Sequence, residues 1–237
     1  MIIYPAVDLL DGKCVRLSQG RYDQVTVYYD NPLEAAMKFV EAGSEWIHVV
    51  DLNAAKTGIP ENQGILREIA KKTGLKVQTG GGIRTLDTLE TLIEEFGVSR
   101  CVIGTSAIRD RAFTEKALAR YGDKIAIGLD AKNGEIAVDG WTEGSGVTVG
   151  AFALTMKSIG ATTIIFTDIA RDGMLTGPAV EATKRLVDET GLSVIASGGI
   201  GSEADLDAIR ESGCSGVIVG KAIYEGKVRL DVCLRKE

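Results

Sequence analysis

Short apolar runs alternate with longer amphipathic stretches along the whole chain. The apolar runs are rich in Val and Ile, as in buried strands, while the amphipathic stretches have the period of helices. This alternation is typical of βα units around a parallel sheet. It predicts strands that end near Asp8, Asp51, Thr79, Gly104, Asp130, Thr167, Ser197 and Gly220.

Helical stretches fill the intervals between those strands. Pro32 and Pro178 suit first helical turns, and Asp87 and Asp205 suit the positive end of a helix dipole. Glycines after the stretches suit left-handed C-caps because they lack Cβ. The predicted helices span residues 32–42, 62–72, 85–96, 111–121, 147–159, 178–189 and 202–211, with a short one near the end. The C-cap glycines are Gly43, Gly74, Gly97, Gly160, Gly191 and Gly213.

The second half of the chain repeats landmarks of the first half in the same order. The turn at Gly81 recurs at Gly198, 117 positions later, and the turn at Gly104 recurs at Gly220, 116 positions later. A repeat of this length suits two fused half-domains. We therefore predict an α/β fold, a (β/α)8 TIM barrel with a twofold half-barrel repeat, that forms a single domain over residues 1–237. An open doubly wound sheet is the structural alternative.

Composition narrows the classes of partner. The net charge of −6 and the lack of a basic stripe argue against nucleic acid. No apolar run reaches the roughly 18 residues of a membrane span, and the first residues do not resemble a signal peptide. The scattered cysteines indicate free thiols in a reducing compartment. We expect a cytoplasmic monomer that binds neither nucleic acid nor membrane.

Glycine-rich turns form two candidate phosphate sites. Each follows a strand and precedes a helix, where backbone N–H groups and the helix dipole attract an anion. Strands seven and eight hold the usual phosphate site of such barrels, and strands three and four supply its copy. Two facing sites predict a substrate with a phosphate at each end, although tight turns alone also explain the glycines. The candidate residues are Gly81, Gly82, Arg84, Gly104, Thr105, Ser197, Gly198, Gly199, Gly220 and Lys221.

Asp8 and Asp130 end the first and fifth strands, which lie opposite one another in an eightfold barrel. Two carboxylates across a cavity can divide the work of base and acid, although a strand-end aspartate can also cap a turn. Asp51 and Asp168 form a second symmetric pair, which we expect to hold loops or substrate hydroxyls.

The only histidine, His48, excludes any multi-histidine metal site. Counting from Asp51 in steps of two predicts that His48 points away from the barrel interior, toward a helix. The chain has no metal-ligand spacing and no dinucleotide fingerprint. These features favour a cofactor-free and metal-free isomerisation of a phosphorylated substrate.

Two segments resemble closing lids because they carry glycines and charges. Residues 10–20 follow the first strand and include Arg16 and Gly20, and residues 171–178 follow the sixth and include Gly177. We expect all three to contact substrate. Trp141, after the fifth strand, either stacks on a planar heterocycle or plugs the barrel rim.

Six segments together form a specific set: residues 6–9 (AVDL), 79–84 (TGGGIR), 128–132 (GLDAK), 167–173 (TDIARDG), 197–200 (SGGI) and 219–224 (VGKAIY). With them, essentially the whole chain resembles the phosphoribosylformimino-aminoimidazole-carboxamide ribotide isomerases of histidine biosynthesis. The resemblance implies an Amadori rearrangement of a bisphosphorylated aminoaldose, ProFAR, to the aminoketose PRFAR.

The resemblance also implies roles for individual residues. Asp8 matches the general base and Asp130 the general acid, while Asp172 matches an alternative proton donor. Thr167 matches a residue that supports the reacting sugar, and Trp141 one that stacks on the imidazole.

Three alternative functions stay open. The sister cyclase subunit of imidazole glycerol phosphate synthase shares the symmetry, but it typically has a lysine near Gln19, where this chain has none. A dual-substrate isomerase would also accept phosphoribosylanthranilate by the same chemistry. A phosphate-binding scaffold would bind the ligand without turnover.

Overall fold

The computed structural model describes residues 1–18, 20–132, 134–138 and 143–235. Within these ranges eight parallel strands close a barrel, which confirms the predicted TIM barrel. The strands are β1 Ile2–Leu10, β4 Trp46–Asp51, β5 Lys76–Gly80, β6 Arg100–Ile103, β7 Ile125–Lys132, β10 Thr163–Asp168, β11 Ser193–Ser197 and β12 Gly216–Val219. In spatial order they run β10-β11-β12-β1-β4-β5-β6-β7, and β7 pairs with β10 to close the ring.

Two antiparallel hairpins extend the first strand of each half-barrel. β2 (Lys13–Ser18) and β3 (Arg21–Tyr29) extend β1, while β8 (Glu135–Val138) and β9 (Glu143–Thr148) extend β7. The expectation of a loop over residues 10–20 was therefore wrong. Asp11 and Gly12 have φ of 49° and 79°, the left-handed pair that a tight two-residue hairpin turn requires.

The long helices lie close to their predicted positions. Pro32 is the first residue of its helix, but Pro178 precedes its helix by two residues, so that first-turn prediction was wrong. All six predicted C-cap glycines have positive φ, from 61° at Gly191 to 104° at Gly160. The helices are α1 Pro32–Glu41, α3 Gln63–Lys72, α4 Leu86–Glu90 with a π-helical continuation Thr91–Glu95, α6 Arg111–Tyr121, α7 Val149–Ser158, α8 Val180–Thr190, α9 Glu203–Arg210 and α11 Leu230–Leu234.

Short helices that directly follow strands were not predicted. They are α2 Leu52–Thr57, α5 Thr105–Arg109 and α10 Lys221–Tyr224. Each is too short to show a helical period in the sequence. Their position matters for function because they begin where the barrel strands end.

Apolar side chains form two layers, one inside the barrel and one between strands and helices. The inner cluster contains Tyr4, Ala6, Ala126, Ile165, Ile195 and Ile218, with Trp46 packed against it. Ile47 and Val49 of β4 belong to the outer layer. The alternation along β4 therefore turns Trp46, His48 and Val50 inward. Among the described residues, no helix combines the length and apolar character needed to cross a bilayer.

Candidate active site

A cavity of about 300 Å³ lies at the carboxyl ends of the barrel strands, where barrels of this kind place their active sites. Twelve of the predicted site residues line it: Asp8, Arg16, Gly20, Gly81, Gly82, Arg84, Gly104, Thr105, Asp130, Thr167, Asp172 and Ser197. Among the described residues, the predicted ones outside its lining are Asp51, Gly177, Gly198, Gly199, Gly220 and Lys221. Trp141 lies outside the described residues.

Asp8 and Arg16 form an ion pair at one side of the cavity. Oδ2 of Asp8 lies 3.0 Å from Nη1 of Arg16, and the two side chains are 14% and 12% exposed. Burial raises the pKa of Asp8, while the guanidinium opposes that rise. The result is a carboxylate that is more basic than a surface aspartate and still has a cationic partner, as a general base requires.

Asp172 is the second buried carboxyl group with a shifted pKa. Its pKa is raised to about 6, mainly by burial; the nearby charges of Asp8 and Asp130 add to the rise, and Arg16 opposes it. At neutral pH a carboxyl group of this kind is protonated for part of the time. Asp172 is therefore suited to donate a proton.

Asp130 and Thr167 lie side by side on neighbouring strands. They are register partners in the pairing of β7 with β10, and both line the cavity. The cavity thus brings together three aspartates from β1, β7 and the segment after β10. A carboxylate base and a carboxyl donor can act on one substrate in such an arrangement.

The turn between β5 and α4, together with the start of α5, forms the first candidate phosphate cradle, which is open to the cavity. Gly81 and Gly82 have φ of 101° and 67°. A Cβ on Gly81 would lie 2.3 Å from the carbonyl oxygen of Asp51, so the backbone fits only a glycine there. Ser106 joins the two turns by donating its hydroxyl to the carbonyl of Ile83 at 2.9 Å.

The second cradle, at the ends of β11 and β12, is covered in this structure. The segment 171–178 lies on it: Gly177 N–H donates to the carbonyl of Gly199 at 2.9 Å. Nζ of Lys221 donates to the carbonyl of Gly173 at 3.2 Å. A Cβ on Gly220 would lie 2.3 Å from Cζ of Arg16, so the guanidinium occupies the space over that turn. These contacts explain why this cradle does not line the cavity.

Asp51 faces a helix rather than the cavity. Its carboxylate accepts from the backbone N–H of Ala54 at 3.0 Å and from the backbone and side chain of Asn62 at 3.1 and 2.8 Å. Of the two roles predicted for Asp51, these hydrogen bonds support the first, which is to hold a loop in place. Its symmetric partner Asp168 likewise accepts from the N–H of Ala170 at 3.0 Å.

The prediction that His48 points away from the barrel interior was wrong. His48 lines the cavity, and its Nδ1 lies 3.1 Å from the amide Nε2 of Gln78, from which it accepts. The count began at Asp51, whose side chain faces outward, so the strand phase was displaced by one residue. Starting from Trp46, packed on the inner cluster, gives the correct phase.

Tyr22 is a cavity residue that the sequence did not reveal. It lies on β3 and its hydroxyl donates to the carbonyl of Leu52 at 2.9 Å. This bond ties the hairpin to the first turn of α2. The Asp11-Gly12 pair indicates a hairpin turn in the sequence. The position of the hairpin over the barrel mouth, and so the contact of Tyr22 with the cavity, depends on long-range contacts.

Sequence comparison adds an independent finding. A family described as histidine biosynthesis protein matches residues 2–229. Three similar relatives are each named 1-(5-phosphoribosyl)-5-((5-phosphoribosylamino)methylideneamino) imidazole-4-carboxamide isomerase. The protein of Ruminiclostridium cellulolyticum is 50% identical, with 97% of each chain covered. That of Acetivibrio thermocellus is 49% identical over the same shares, and that of Bacillus pumilus is 48% identical over 96% of this chain and 94% of its own.

The comparisons and the structure agree over nearly the full length of the chain. The family match spans every strand of the barrel, from β1 to β12. The matched residues therefore include the whole barrel and the three aspartates that line its cavity. The chain belongs to the histidine biosynthesis protein family.

Proposed function

We propose that this chain catalyses the Amadori rearrangement of ProFAR to PRFAR, an aldose-ketose isomerisation in histidine biosynthesis. One observation carries the proposal: a single cavity holds Asp8, Asp130 and Asp172 beside an open phosphate cradle. The names of the relatives support the same reaction. Net proton transfer within one substrate consumes no external reagent, so side-chain acids and bases suffice.

In the proposed mechanism a carboxyl group protonates the ribose ring oxygen, and the ring opens to a Schiff base. Asp8 then removes the proton from C2, which gives an enolamine. Reprotonation at C1 and loss of the C2 hydroxyl proton yield the ketose. The ion pair with Arg16 supports the base role of Asp8, because it keeps the buried group ionised.

The resemblance assigns the first protonation to Asp130. The raised pKa of Asp172, about 6, supports a second candidate for the same step. Asp130→Asn and Asp172→Asn separate the two candidates. The variant that loses the basic limb of the profile of kcat against pH has lost the donor.

We also propose that one phosphate of the substrate binds at Gly81, Gly82, Gly104 and Thr105, which line the cavity. The other phosphate would bind at Gly198, Gly199 and Gly220 once residues 171–178 shift, with the guanidinium of Arg16 beside it as a cationic partner. The four cysteines are buried as thiols rather than disulfides, which supports the expected cytoplasmic location, because thiols persist in a reducing compartment.

An assay of purified protein with the aminoaldose ribotide tests the function. Ketose formation without other additions supports the isomerase, whereas ring closure that depends on ammonia or a glutaminase supports the cyclase. A parallel assay with phosphoribosylanthranilate tests the dual-substrate alternative. Asp8→Asn should lower kcat by about 10²- to 10⁴-fold while ligand affinity persists. Turnover within tenfold of wild type would remove Asp8 as the base.

A further inference from the structure

A buried chain of polar side chains runs through the barrel beneath the cavity. Arg100 of β6 donates from Nη1 to the hydroxyl of Tyr4 at 3.1 Å and to Oε1 of Gln78 at 3.0 Å. Gln78 of β5, fully buried, contacts Nδ1 of His48 through Nε2 at 3.1 Å. Cζ of Arg100 also lies 4.9 Å from the ring centroid of Trp46. This series of hydrogen-bonded side chains therefore begins at the guanidinium of Arg100 and ends at His48, which lines the cavity.

Donors and acceptors can be assigned to Arg100, Gln78 and His48 in only one way. A guanidinium has five N–H donors and no acceptor, so the atom of Gln78 that faces Arg100 is the carbonyl oxygen. The amide NH₂ of Gln78 must then face His48 and donate to Nδ1. Because Nδ1 accepts, it carries no proton, and the proton of the neutral imidazole lies on Nε2.

His48 is held in the neutral form by its surroundings. Burial and, to a smaller extent, the charge of Arg16 lower its pKa to about 3. A neutral imidazole with Nδ1 already engaged has one remaining polar atom, the Nε2–H donor. Neutral histidine is an effective hydrogen-bond donor to a sugar oxygen that becomes a carbonyl.

The strand register places His48 next to the proposed base. In the pairing of β1 with β4, His48 lies opposite Ala6, and Asp8 lies opposite Val50. His48 is therefore one inward-facing layer below Asp8, on the neighbouring strand, and both side chains line the cavity. One bound sugar can therefore contact both side chains.

We propose that Arg100 and Gln78 are positioning residues that lock His48 in the Nε2–H tautomer, and that His48 donates this hydrogen bond to a sugar oxygen beside the carbon that Asp8 deprotonates. The identity of the acceptor rests on the proposed isomerase function. The tautomer does not, because it follows from the three side chains alone.

Nitrogen NMR of histidine-labelled protein tests the tautomer directly, since His48 is the only histidine in the chain. We expect one neutral imidazole with the proton on Nε2, unchanged between pH 8 and pH 5. A proton on Nδ1, or an imidazolium at pH 6, would overturn the proposal. This measurement needs no substrate, so its failure leaves the isomerase proposal intact, and absent ketose formation leaves the tautomer intact.

Gln78→Glu tests the positioning role. A carboxylate accepts, so it should move the proton of His48 to Nδ1, and kcat should fall about tenfold, the effect of one lost hydrogen bond. We expect KM to change less than kcat. Gln24→Glu makes the same change on the exposed face of β3 and should alter neither value. If Gln78→Glu reverses the tautomer of His48 but has the same kcat as Gln24→Glu, then the Nε2–H donor of His48 does not contact the substrate.

Substitutions of His48 provide a second arm in case the glutamate variant does not fold. A glutamine amide N–H reaches the position of Nε2, whereas that of asparagine reaches the position of Nδ1. His48→Gln should therefore retain about tenfold more kcat than His48→Asn. Equal kcat values for the two variants would contradict a donor at Nε2.

Discussion

Asp8 illustrates how one residue is tuned by two opposing neighbours. Its burial raises the pKa, and Arg16 at 3.0 Å limits the rise. The same guanidinium also lowers the pKa of Asp172. One cation therefore adjusts both the proposed base and a candidate donor, so its removal should change both limbs of a pH profile.

Arg16→Ala should shift the acid limb of kcat/KM to higher pH. Without the guanidinium the pKa of Asp8 rises, so a higher pH is needed to ionise the base. If Asp172 is the donor, the basic limb should move to higher pH as well. Lys13→Ala is the control, because Lys13 pairs with Asp30 at the exposed surface of the same hairpin. An acid limb that stays in place or moves to lower pH would contradict the tuning role.

Gly81→Ala should destabilise the protein, by on the order of 3 kcal/mol. The residue has φ of 101°, and its new methyl group would lie 2.3 Å from the carbonyl oxygen of Asp51. Gly64→Ala is the matched control: Gly64 lies in α3 with open space around it, and alanine should stabilise it by about 0.5 to 1 kcal/mol. Urea unfolding measures both. Similar values for the two variants would mean that the cradle backbone relaxes freely.

At the scale of elements, the β2-β3 hairpin decides which groups reach the cavity. The register of β1 with β2 sets Asp8 opposite Val15, which brings the adjacent Arg16 to the carboxylate. The sequence identified Arg16 and Gly20 as site residues but assigned them to a loop. Strand pairing between residues of the hairpin and β1 determined the ion pair, and local pattern does not report that pairing.

Asp51→Ala should lower the free energy of unfolding by about 2 kcal/mol. The change removes the acceptor for the N–H of Ala54 and for both donors of Asn62. Because the carboxylate faces α2 rather than the cavity, KM should stay within about threefold of wild type, less than the loss of one substrate hydrogen bond. Urea unfolding and steady-state kinetics give the two values. A tenfold rise in KM would restore the alternative role, contact with a substrate hydroxyl.

At the scale of the molecule, barrel closure gathers three aspartates that are far apart in sequence. The two halves keep their symmetry in the hairpins and in the glycine turns, since the carbonyls of Asp51 and Asp168 pack against Gly81 and Gly198 in the same way. They differ at the cavity, where one cradle is open and the other is covered by residues 171–178 and Arg16. The two candidate cradles therefore differ in their access to the cavity in this structure.

At the scale of the whole molecule, the contribution of His48 to the free energy of unfolding should fall as the pH decreases from 6.5 toward 3. Its pKa is about 3 in the folded protein against an ordinary value of 6.5. In this window the unfolded chain binds a proton that the folded chain does not, which costs up to about 1.4 kcal/mol per pH unit. Asp172 acts in the opposite sense, since its pKa is raised to about 6 and its contribution is lost as the pH rises.

Urea unfolding of wild type and His48→Gln over this pH range isolates the histidine. The wild type should lose stability more steeply on acidification than the variant, which lacks the titrating group but keeps Asp172. Parallel curves for the two proteins would show that His48 is not held neutral by the fold.

The sequence by itself determined the barrel, its twofold repeat, the C-cap glycines and the cradle turns. These features depend on local backbone requirements, namely strand and helix periods and φ values that only glycine adopts readily. It also identified the three aspartates, which stand at or beyond the ends of strands. Only the tertiary structure decided the directions in which the side chains of His48 and Asp51 point and the ion pair of Arg16 with Asp8. It also decided that residues 171–178 cover the second cradle. Strand phase, register and the contacts of distant segments set these, and they form only when the barrel closes.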